Sequence, residues 1–170
     1  PDGVHGPSQI VNREFAWADS DWRGVPRDSL VIYELHVGAF TEAGTFRAAA
    51  ARLDELLDLG VTAIELMPIA DCAGRWNWGY DGVCLFAPNR NYGATDDLKF
   101  LVDAAHAKGL AVILDVVYNH LGPEGNYLGE VGPYLSSRHS TVWGSAPNFD
   151  DPEYGFGVRR FFIANAMNWL

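Results

Sequence analysis

The run Asp115-Val116-Val117-Tyr118-Asn119-His120 puts a carboxylate, an amide and an imidazole at the end of an apolar stretch. A carboxylate on a buried strand costs free energy unless it is paired. If the run is a strand, Asp115, Val117 and Asn119 alternate onto one face and His120 sits at the rim. One such Asp alone reads as structural, whereas three polar groups at one strand end point to a site. The second feature is Arg75-Trp76-Asn77-Trp78-Gly79-Tyr80-Asp81-Gly82, aromatics interleaved with an amide and a carboxylate. Such a mixture suits a sugar, whose C–H faces stack on flat rings while its hydroxyls take bidentate polar partners. A loop pinned by its own aromatics is an equal reading of the same residues.

Glu34, His36 and Glu65 are weaker candidates near strand ends, where a structural hydrogen bond is the expected role. Gly155-Phe156-Gly157 resembles the start of a dinucleotide turn, but Arg160 stands where the third glycine belongs. Cys72 and Cys84 lack the close paired spacing of a zinc site and read as idle thiols.

The elements that must position these groups begin at Leu30. Leu30 to Val37 is an apolar-rich run, as in a strand covered on both faces. Thr45 offers an N-cap, after which Phe46, Ala49, Ala50, Leu53, Leu56 and Leu57 recur at helical spacing until Gly60. Val61 to Leu66 reads as a second strand, ended by Pro68, and a long loop runs from Ile69 to about Ala94. A second helix from Thr95 or Asp96 to Gly109 has acids at its positive end, and Leu110 to Val117 is a third strand. Another long loop leads from Tyr118 to about Gly155. A last helix starts near Gly157 or Val158, with Val158, Phe161, Phe162, Asn165 and Trp169 on one side, and reaches Leu170 uncapped, as a cut segment would.

Alternating strands and helices imply an α/β fold with parallel strands and right-handed crossovers. Long loops after the second and third strands match the first three strand–helix units of a (β/α)8 TIM barrel. Residues 30–170 are then an incomplete barrel, since a whole one takes about 250 residues. Residues 1–29 read as an interdomain linker or draped arm, with Phe15, Trp17 and Trp22 implying that it packs on something.

The 170 residues are 48% hydrophobic and 20% charged, enough for a core and too apolar for disorder. A net charge of −10 excludes a basic nucleic-acid surface and fits a neutral substrate. No apolar run suits a membrane span and the first residues lack signal-peptide character, so no membrane partner and a cytoplasmic location are expected.

Three stretches together resemble the α-amylase superfamily, glycoside hydrolase family 13. Asp115 to His120 is similar to the family's conserved region on the third barrel strand, Gly60 to Pro68 to that on the second, and Trp78-Gly79-Tyr80-Asp81 to the adjoining active-site loop. Pro1 to Ser8, Tyr33 to Gly38, Gly122 to Leu128 and Asn148-Phe149-Asp150 resemble the family's trehalose-releasing members. The α-glucan branching enzymes, the nearest alternative, are expected to carry Gln in place of Asp81.

The resemblance implies a maltooligosyltrehalose or other α-glucan substrate, no cofactor, and a retaining mechanism with two carboxyl groups about 5–5.5 Å apart. It makes residues 30–170 the N-terminal part of the barrel, stopping before strand four, and places both groups beyond Leu170, so no residue here is assigned as catalytic. It makes Tyr80, His120, Trp78 and Asp81 substrate-binding, with Tyr80 stacking on the cleaved ring and His120 bonding its hydroxymethyl oxygen. Asp115 supports an Arg near the nucleophile. Asn119 orders the following loop; its equivalent binds calcium in many amylases, and no metal is assigned here. An alternative of another class is a non-catalytic carbohydrate-binding module whose exposed sheet edges drive self-association.

Overall fold

The computed structural model describes residues 2–12 and 14–170; Pro1 and Arg13, one at the head of the Pro1–Ser8 motif and both within the expected arm, lie outside the described residues. In chain order the elements are β1 (Ile32–Leu35), α1 (Val37–Phe40), α2 (Phe46–Ala50), α3 (Leu53–Asp58), β2 (Ala63–Leu66), β3 (Ala70–Asp71) and β4 (Cys84–Pro88). Then follow α4 (Thr95–Ala107), β5 (Ala111–Leu114), α5 (Leu128–Val131), β6 (Leu135–Thr141), β7 (Gly144–Pro147) and α6 (Gly155–Trp169).

β1, β2 and β5 form one parallel sheet in that order, with Glu34, Glu65 and Ile113 level with one another and Leu35, Leu66 and Leu114 one step on. Adjacent residues point to opposite faces. Leu35, Ile64, Leu66, Val112 and Leu114 therefore share the face that packs under the helices, joining Phe46, Leu53, Leu56 and Leu101 in one core. The opposite face carries Glu34 and Glu65.

Both helix-to-strand turns have the same construction. Gly60 and Gly109 have φ of +82° and +79°, a region that glycine enters without penalty. The Gly60 N–H donates to the Leu57 carbonyl and the Val61 N–H to Leu56, while Gly109 donates to His106 and Leu110 to Ala105. This pattern satisfies the last carbonyls of each helix and drops the next residue, Val61 or Leu110, into the core.

Several expectations need correction. The first strand is shorter than Leu30 to Val37 and, among the described residues, is not covered on both faces: β1 spans Ile32–Leu35, and Val31 and Ile32 are half exposed. The first helix is two. Thr45 caps it as expected, accepting from the Ala48 N–H at 3.2 Å. At Arg52 the N–H reaches back only three residues, to Ala49, and the helix breaks while its buried stripe continues. The long loops are not bare: β3 pairs antiparallel with β4 in one, and α5 and the β6–β7 hairpin occupy the other. α6 starts at Gly155, earlier than predicted, because Asp151 Oδ1 already accepts the N–H groups of Glu153 and Tyr154.

α4 is tied at both ends. Asp97 accepts from the Ala94 N–H at 2.9 Å and from Arg47 Nε at 2.5 Å, and both contacts hold its carboxyl below the usual range. That contribution is present at neutral pH and is lost as pH falls through the lowered value. Farther along α4, Trp22 stacks on His106 at 4.5 Å, Asp19 Oδ2 lies 2.6 Å from His106 Nδ1, and the Ala18 N–H donates to Asp103.

A second cluster, Leu85, Leu121, Val158 and Phe162, anchors α6 against the long excursions. At its centre Asn165, 1% exposed, donates to the Leu85 carbonyl at 2.7 Å and accepts from the Tyr118 hydroxyl at 2.6 Å. Asn165→Ala leaves both partners unmatched, so we expect a loss of about 2–4 kcal/mol in a urea unfolding curve; a change within experimental error would show that the asparagine carries no such role.

Candidate functional site

Parallel strands in register finish together, so β1, β2 and β5 end on one edge, followed by His36, Met67 and Asp115. The Asp115 N–H donates to the Leu66 carbonyl at 3.0 Å, the last tie of this strand to the sheet. Its side chain lies two residues beyond Ile113, on the face that carries Glu34 and Glu65. The Tyr80 hydroxyl donates to Asp115 Oδ2 at 3.5 Å, a long contact. Burial pushes the Tyr80 phenol up, and the Asp115, Glu34 and Glu65 carboxylates push it the same way. The tyrosine thus stands over the acidic face of the sheet.

Beyond Asp115 the strand pairing stops, so the expected alternation with Val117 and Asn119 does not continue. Tyr118 is drawn toward α6 by Asn165 and by an edge-on contact with Phe162. Asn119 acts on its neighbour instead: its Oδ1 lies 3.0 Å from His120 Nδ1. An amide oxygen only accepts, so Nδ1 carries the proton of this contact. His120 is buried, and Trp143 stacks on it at 5.1 Å with the rings 26° from parallel. Trp143 is not among the residues that sequence reasoning singles out. Its signal is the apolar pair Val142-Trp143 at the tip of an otherwise polar hairpin.

The Tyr80 loop is set by its own backbone. Asn77 Oδ1 accepts from the Gly79 N–H at 2.5 Å, and Gly79 has φ +93°. A Cβ there would lie 2.0 Å from the Pro68 carbonyl oxygen, so only glycine lets the loop lie against the end of the second strand. Next, Asp81 meets Gly122 so closely that a Cβ on Gly122 would fall 2.1 Å from the Asp81 carbonyl oxygen, and the Gly122 N–H donates to Gly82 at 3.2 Å. The loop bearing Tyr80 and the loop bearing His120 are therefore joined. Trp78 and Asp81 are exposed beside them, as is Trp76. Among the described residues no group of three or more His, Cys, Asp or Glu is placed to hold a metal ion, and no helix is long and apolar enough to cross a membrane.

Parallel strands alternating with helices, with rings, an amide and an imidazole on loops beyond the strands' carboxyl ends, place the chain in the α/β class. The chain belongs to the alpha-amylase family, whose catalytic-domain description matches residues 9–148. Over its whole length it is 51% identical to malto-oligosyltrehalose trehalohydrolase of Saccharolobus solfataricus and 49% identical to that of Deinococcus radiodurans. A crystal structure from Salmonella typhimurium, described as an alpha amylase, superposes with a TM-score of 0.93 at 46% identity, covering 99% of this chain and 28% of its own. The chain spans 30% and 28% of the length of the two curated relatives.

Below the Tyr80 loop lies a buried polar knot. Asp71, fully buried, pairs with Arg90 Nη1 at 3.2 Å, and Asn89 Nδ2 donates to Cys72 Sγ at 3.4 Å. Burial, helped by the Asp71 carboxylate, pushes the Cys72 thiol up to about 11. The thiolate is the reactive form. We therefore expect Cys72 to resist iodoacetamide at pH 8 until the protein is unfolded, read by mass spectrometry of its peptide; rapid native labelling would contradict the packing.

Proposed function

We propose that the full-length protein hydrolyses the α-1,4 bond between a maltooligosaccharide and a terminal trehalose, releasing trehalose. The observation that carries a sugar site is Tyr80 standing over the carboxylates, on a loop joined to the one that bears the buried His120. The choice of bond is supported by the relatives' names and by Asp81 after Tyr80, where a branching enzyme is expected to carry Gln.

In this reading Tyr80 stacks on the ring to be cleaved, His120 bonds its hydroxymethyl oxygen, and Trp78 and Asp81 extend the contact surface. Asp115 supports an arginine near the nucleophile, and Asn119 fixes the His120 tautomer. Residues 30–170 supply the first three strand–helix units. The remaining strands bring the nucleophile and the general acid and close the barrel over the face bearing Glu34 and Glu65. Residues 1–29 serve as linker and arm, and the enzyme works in the cytoplasm.

In the full-length enzyme, Tyr80→Ala and His120→Ala should each lower kcat/KM for maltooligosyltrehalose about 10–100-fold, the loss of about 1.4–3 kcal/mol of contact energy. Wild-type rates in both would remove these residues from the site, and transfer of glucan chains into α-1,6 branches without trehalose release would favour the branching reading. The isolated 170 residues should release no trehalose; turnover by a pure sample would overturn the placement of the carboxylates. Sedimentation of that same sample tests the self-associating module, which requires a dimer or larger species that binds maltooligosaccharide.

A further inference from the structure

His36 follows β1 and has contacts that a packing residue would not need. Its Nε2 lies 2.7 Å from the Asn77 carbonyl oxygen, across 41 residues of sequence. A carbonyl only accepts, so Nε2 carries the proton. The Tyr92 hydroxyl is 3.2 Å from the same nitrogen, and the Tyr92 ring stands edge-on to the imidazole at 5.8 Å. Tyr92 is itself buried and meets Phe46 edge-on, which ties the imidazole to the main core. On another side Gly38 closes in: a Cβ there would come within 2.8 Å of Tyr92 and 3.0 Å of His36.

The arrangement has a cost. His36 Nδ1 and Asn77 Nδ2 are both buried without a hydrogen-bond partner among the described residues. Unmatched buried polar atoms are rare and need a compensating reason. An apolar side chain would fill the space with no orphaned nitrogen, so packing does not explain an imidazole here. The bond from Nε2 to Asn77 does. Asn77 in turn receives the Gly79 N–H, and Gly79 immediately precedes Tyr80.

We propose that His36 is a positioning residue: its Nε2–H holds the Asn77 carbonyl and so fixes the loop that presents Trp78 and Tyr80 to substrate. The link to substrate rests on the sugar-site reading above, whereas the link to the loop does not.

The test uses the full-length enzyme with His36→Leu, which fills the space without a donor, and His36→Gln, which keeps an N–H donor at similar reach; should the leucine variant fail to fold, His36→Ala carries the same comparison. Two readouts separate the links. Trypsin cleavage after the exposed Arg75 reports the loop alone. We expect it to quicken about tenfold in His36→Leu and to return toward the wild-type rate in His36→Gln, as the loss of one hydrogen bond predicts. Kinetics on maltooligosyltrehalose should show KM raised in His36→Leu with kcat little changed, again rescued by Gln. Cleavage and KM at wild-type values in His36→Leu, or equal damage in both variants, would overturn the proposal. Tyr80→Ala with unchanged kcat/KM would overturn the sugar reading instead, leaving the trypsin result to judge His36.

Discussion

A parallel strand cannot be reached from its neighbour by a tight turn, so the chain must travel back along the sheet before it can start again. Every other feature of this molecule follows from how that return is made. The helices α2 and α3 make the first return and α4 the second, and each ends in a glycine with positive φ that turns the chain straight into the next strand. Short, stiff turns at that end leave the long excursions, with Tyr80 and His120, at the other. Tyr80, Asp115 and His120 share one edge because the returns are economical, not because they attract one another.

The same constraint splits the two sheet faces chemically. Leu35, Leu66 and Leu114 are level and buried under the helices, while Glu34 and Glu65 are level on the other side. Like charges on neighbouring strands disfavour pairing, so the acidic face is a cost that helix packing on the reverse face outweighs.

Much of this was legible in the residues. The 3.6-residue stripe from Phe46 to Leu56 and the glycines at 60 and 109 announce the helix-to-strand units, because backbone sterics act locally. The exposure of Val31 and Ile32 was not, since an apolar run looks alike whether one of its faces is covered or both. Nor were the hairpins within the long loops: β6 is Leu-Ser-Ser-Arg-His-Ser-Thr, too polar to stand out as a strand. At the site, Tyr80 and His120 showed themselves by type and spacing. The stacking of Trp143 on His120 and the reach of His36 to Asn77 depend on contacts 23 and 41 residues apart, which no local pattern encodes.

The contact between Asp81 and Gly122 gives the two site loops a shared ruler. With the backbones touching, an inserted residue in either loop near that point would move the tyrosine and the histidine relative to each other. Trp143, 66% exposed yet stacked on His120, makes the hairpin tip a third point on the same ruler.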